Sequence, residues 1–246
     1  MKCLAIYGWE SHLEIDFLYD AMNKHLGNVS HSLKDVNVII DGWPRAKRVS
    51  DDNLLKFLSQ PERLRSIDGE LKFYFDKGDD VGTFLISSMP RLFFVGLPRS
   101  IEQIAGFDVF VRHLAEHAKF SYGYTFQSVS DKPALYASGI TYVEAGKSID
   151  KLLAEEDERW FNVLISGNNG CKNFVSNDVM RGVYELNILN DQHIERKIDN
   201  EDFLSLVKRK NWGSLTKISS YNWLWQITGT ARTDAENYLR RSSVFI

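Results

Sequence analysis

Leu71, Phe73 and Phe75 alternate with Lys72, Tyr74 and Asp76, a two-residue period that predicts a half-buried strand. After the turn Lys77-Gly78-Asp79-Asp80 the apolar residues return over 81–87, which predicts a hairpin. A third strand is expected over 92–95, between Pro90 and Pro98, so that the three form a meander. Two β-branched or apolar runs closed by glycine, 3–7 before Gly8 and 36–40 before Asp41-Gly42, predict further strands.

Elsewhere the apolar residues recur every three or four positions. Leu13, Phe17, Leu18, Met22 and Leu26 predict a helix ending at Gly27. Ser50-Asp51-Asp52 opens a helix that Pro61 stops, because hydroxyl and carboxylates meet unpaired backbone N–H groups. Phe107, Phe110, Val111, Leu114 and Ala118 predict a helix over 107–120, and 147–160 reads the same way. Strands are expected over 122–126, 134–143 and 161–165, and a loop at Gly167-Asn168-Asn169-Gly170. The densest aromatic and aliphatic stretch is 177–228. There strands over 183–189 and 221–227 flank Trp212, with helices near Asp191 and over 201–210, and a terminal helix follows over 231–241.

The fold class expected is α+β: antiparallel meander sheet or sheets packed against several amphipathic helices. With 246 residues and no linker-like tract, one domain is expected, and 98–106 is where two subdomains would meet. The net charge of −3 and three short basic runs (45–48, 208–210, 240–241) give no concentrated cationic face, so no nucleic-acid partner is expected. No apolar run reaches membrane-spanning length and the N-terminus lacks a signal-peptide core, so neither a membrane nor export is expected; cytoplasmic residence is. Two cysteines, Cys3 and Cys171, exclude a disulfide framework and a four-thiolate zinc site.

Chemistry is sparse. His113-Leu114-Ala115-Glu116-His117 has the H-x-x-E-H spacing of inverzincin metalloproteases, in which a helix would point both imidazoles at one zinc ion. Glu116 would polarise the bound water, and Glu195 is a distant candidate third ligand. Against this, Leu114 and Ala118 make the helix amphipathic without any metal. The Walker spacing is absent around Gly167 and Gly170, and no G-x-S-x-G elbow occurs. Cys171 and His193 would make a nucleophile–base pair only if the fold joined them. No cofactor is expected.

Two acidic patches, Glu155-Glu156-Asp157-Glu158 and Asp76 with Asp79 and Asp80, read as solvated faces or as complements to a basic partner. Trp223 and Trp225, two apart on a strand, share one face: core if covered, a binding hot spot if open. The segments 92–98, 107–119, 120–124, 180–190 and 223–225 together resemble immunity proteins of bacterial contact-dependent and type VI secreted toxins. The resemblance implies an inhibitor that binds one cognate toxin and covers its active site, and it carries no contact residues across. The residues expected to meet such a partner are Glu155, Glu156, Asp157, Glu158, Asp79, Asp80, Trp223 and Trp225. The alternative is a zinc-dependent hydrolase built on His113, Glu116 and His117.

Overall fold

The computed structural model describes residues 1–8, 17, 20–22, 24–25, 35–38, 47–49, 70–77, 80–88, 91–97, 106–128, 133–139, 151–165, 179–242 and 244–245. Among these, twelve strands form in chain order: β1 Lys2–Tyr7, β2 Asp35–Val38, β3 Lys47–Val49, β4 Glu70–Lys77, β5 Asp80–Ser88, β6 Arg91–Leu97, β7 Tyr122–Gln127, β8 Leu186–Asn190, β9 Lys197–Ile198, β10 Glu201–Asp202, β11 Ser214–Lys217 and β12 Asn222–Gln226. The helices are α1 Phe107–Ala115, α2 Pro133–Ser138, α3 Lys151–Ile165, α4 Asp191–Glu195, α5 Phe203–Lys210 and α6 Gly229–Leu239.

Ten of the strands make one antiparallel sheet in the order β11-β12-β8-β7-β1-β6-β5-β4-β2-β3. The α+β class and the β4–β5–β6 meander are therefore as the alternation implied. Strand β1 lies inside the sheet, pairing with β6 on one side and β7 on the other, so the sheet runs unbroken across both sides of 98–106.

Burial explains why β1 can sit there. Cys3, Leu4, Ala5, Ile6 and Tyr7 have no exposure, so both faces of the strand are covered. Cys3, Ala5 and Tyr7 join Leu92, Phe94, Tyr122 and Tyr124 in a core completed by residues from α2, α3, α5, α6 and the 180–198 segment. The opposite face carries Phe93, whose ring meets Phe110 of α1 at 5.9 Å, and His25 packs on Phe110 at 4.8 Å. Phe17, Asp20–Met22, Lys24 and His25 are helical, consistent with the 13–26 pattern.

Strands β7 and β8 pair directly only at Gly123–Ile188 and Tyr124–Asn187. Buried amides extend the joint. Asn222 accepts from the Phe120 N–H at 3.0 Å and donates to the Phe120 carbonyl at 2.8 Å, while Asn190 donates to the Ser121 carbonyl at 2.9 Å. A side-chain amide carries one donor and one acceptor end, so it can stand in for a ladder peptide. Leaving either peptide group unpaired in the interior would cost about 1–3 kcal/mol.

Three expectations need correcting. The strand over 134–143 is instead the helix α2 over its described part: Pro133 at the first helical position fixes φ and loses no needed donor, and Ala134-Leu135 favours a helix. The strand over 161–165 is the C-terminal part of α3, where Trp160 and Leu164 are buried and Asn162 is exposed. An apolar run that short carries no period of its own. The helix over 107–120 ends at Ala115, with Glu116 as its cap. The expected helix over 50–59, the loop at 167–170 and Cys171 lie outside the described residues.

The basic run 208–210 falls in the last turn of α5, where the helix dipole favours cations. Beyond it, Asn211 and Gly213 have φ of 55° and 75°. A Cβ at Gly213 would stand 2.0 Å from the Gln226 carbonyl oxygen, so only glycine fits this entry to β11.

Candidate functional site

Arg181 lies in the 180–185 segment leading to β8, and its side chain has no exposure. Its charge is answered on three sides. One terminal amine donates to Asp157 Oδ1 on α3, the other to the Tyr136 carbonyl and, at 3.2 Å, to the Tyr124 hydroxyl. Nε lies 3.4 Å from Glu156 Oε1, and the guanidinium stacks 3.8 Å from the Tyr136 ring centroid. Burying an ion costs several kcal/mol unless a partner and hydrogen bonds answer it, and here both do. Asp157 is buried as well, and its Oδ2 finds no hydrogen-bond partner among the described residues.

A nest of tyrosines surrounds this pair. Tyr7 donates to the Ala137 carbonyl at 2.7 Å and lies 3.0 Å from the Tyr124 hydroxyl; Tyr136 and Tyr184 hydroxyls are 3.1 Å apart. The Tyr124 and Tyr184 rings stack with centroids 4.1 Å apart, and the Trp160 indole N–H shares the Ala137 carbonyl at 3.2 Å. Burial pushes the phenols of Tyr7, Tyr122 and Tyr184 well above the usual tyrosine range. For Tyr124 burial raises the pKa to about 12, with Arg181 pulling the other way.

The sign of the resulting pH dependence is fixed. With folded pKa values raised, the unfolded chain loses phenolic protons first, so stability is full below pH ~10 and falls as pH rises towards 12. Burial raises Tyr136 as well, so tyrosinate absorbance at pH 11 is expected to fall short of that from the same chain in denaturant. Equal absorbance in the two states would contradict the buried nest.

The acidic run is thus divided by the helix period. Glu155 and Glu158 are exposed, Glu156 is half-buried, and Asp157 points inward with Trp160 and Leu164. Asp157 is accordingly not a partner-facing residue. Its spacing from Trp160 and Leu164 (three and seven) was the signal that sets it on the inner stripe. For Arg181 the local signal is thin: one cation among Met180, Gly182 and Val183.

Trp225 also leaves the set of partner candidates, since it has no exposure; its indole N–H donates to the Trp212 carbonyl at 2.7 Å. Trp223 is half-buried, tied to Asp191 Oδ1 at 2.7 Å and covered by the Lys217 ammonium 5.1 Å from its ring centroid. Asp79 lies outside the described residues, and Asp80 opens β5 opposite Lys77. His193 is a capping residue: its N–H donates to Asn190 Oδ1 at 3.1 Å, and the Asn190 N–H reaches its Nδ1 at 3.3 Å.

The second constellation lies at the C-terminal end of α1. One ligand atom each from His113, Glu116 and His117 falls within 4.8 Å of the others, and Glu195 is not among this group. His113 Nδ1 is 3.6 Å from Glu116 Oε2.

Set against family models, curated proteins and solved structures, the chain has no significant match in any of the three.

Proposed function

We propose that this chain is a protein-binding inhibitor of the immunity type, which neutralises a cognate toxin by covering its active site. The observation that carries the reading is the division of the acidic run on α3. The buried Arg181–Asp157 pair fixes the rotation of the helix, so Glu155 and Glu158 stand outward in a set arrangement. Three apart, they are neighbours on the helix surface and present their carboxylates on one outward face. A helix held by a rigid anchor needs no reorientation on binding, and its outward charges would steer a basic surface during encounter. The resemblance of 92–98, 107–124 and 180–190 to immunity proteins points the same way.

The test uses the product of the adjacent gene. The two purified proteins are expected to form a stable complex, and co-expression is expected to restore growth to cells making that product. Failure to associate together with failure to protect would remove the reading.

A further inference from the structure

We propose that His113, Glu116 and His117 form a binding site for one divalent transition-metal ion, with zinc as the reference ion and all three side chains as ligands. The site follows from how α1 ends. Its inner face is committed to the core through Phe107, Phe110, Val111, Leu114 and Ala115, which leaves His113 on the flank, part-exposed. The helix ends at Ala115, yet the chain keeps turning: the Glu116 N–H bonds to the Arg112 carbonyl at 3.2 Å and the His117 N–H to the Leu114 carbonyl at 3.0 Å. His117 is thereby carried back beneath His113, with the two rings 5.5 Å apart and near perpendicular at 79°.

The geometry suits one ion. Ligand nitrogens about 2.0–2.1 Å from a tetrahedral zinc stand roughly 3.4 Å from each other. Three atoms within 4.8 Å need only small side-chain rotations to reach that spacing, and Glu116 and His117 are exposed enough to make them. Phe17 limits the freedom of the imidazoles, its ring lying 4.7 Å from His117 and 6.1 Å from His113. Two imidazoles and a carboxylate suit zinc, cobalt, nickel or copper better than the hard cations calcium and magnesium. This differs from the inverzincin arrangement, in which the glutamate acts on water and a remote residue completes the set. Here Glu116 lies among the ligand atoms, and Glu195 does not. The fourth position is left for water or for a group from a bound partner.

The experiment titrates zinc chloride into the metal-free full chain, carrying no polyhistidine tag, by calorimetry, and follows cobalt chloride by its visible absorption. One equivalent of zinc is expected, with a tetrahedral cobalt spectrum that zinc abolishes. His113→Gln and His117→Gln are each expected to weaken binding at least tenfold, and both side chains are exposed enough for the variants to fold, as circular dichroism would verify. No binding by the folded wild-type chain would overturn the site. So would binding of unchanged affinity in both variants, which would place the ion elsewhere. Neither result bears on whether the chain inhibits a toxin, because the acidic face of α3 contributes no ligand.

Discussion

Arg181→Met is expected to destabilise the protein by about 3–5 kcal/mol, because removing one partner of a buried ion pair strands the other. Asp157, with no exposure, would lose the guanidinium that answers Oδ1, while its Oδ2 already lacks a hydrogen-bond partner among the described residues. The Tyr136 carbonyl and Tyr124 hydroxyl would lose their donor at the same time. Unfolding in urea, followed by tryptophan fluorescence, measures the loss. The double variant Arg181→Met/Asp157→Leu is expected to recover most of it, since replacing both charges by apolar groups is often near neutral. A single variant within about 1 kcal/mol of wild type would contradict the role assigned to the pair. So would a double variant no more stable than the single.

Trp225→Ala is expected to cost a further about 3–5 kcal/mol, the range for truncating a large buried aromatic. The indole is wholly covered, meets Phe203 edge-on at 5.1 Å and 90°, and satisfies the Trp212 carbonyl. Trp223→Ala provides the control. Its ring is half-open beneath Lys217, so its truncation should cost less than half as much. The same urea experiment compares the two, and equal losses would mean that burial does not set their contributions.

What the sequence disclosed follows from which patterns are local. The alternation through Leu71, Phe73 and Phe75 and the turn after it need only neighbouring residues, and β4 and β5 formed as the pattern implied. The apolar run at 161–165 has no readable period, so only the four-residue step from Trp160 to Leu164 on one helical face shows that the helix read over 147–160 continues through it. The Arg181 nest draws Tyr7, Tyr124, Tyr136, Asp157 and Tyr184 from β1, β7, α2, α3 and the approach to β8. No spacing along the chain encodes such a meeting. The aromatic richness of 177–228 proved to be core at Trp212 and Trp225, and Arg181 of the same stretch is tied to Asp157 of α3. The histidine pair was visible as a motif, but only the turn after Ala115 shows that Glu116 joins it.

Charge reversal on the acidic face of α3 decides whether that face meets a basic partner. The measurement is the association rate of the Glu155→Lys/Glu158→Lys variant with the adjacent gene's product at low salt, beside that of the wild-type chain. Both residues are exposed, so the fold should be retained. Association is expected to slow by about tenfold or more, with the difference shrinking as salt is added, as screening of steered encounter requires. An unchanged or faster association by a folded variant would contradict it.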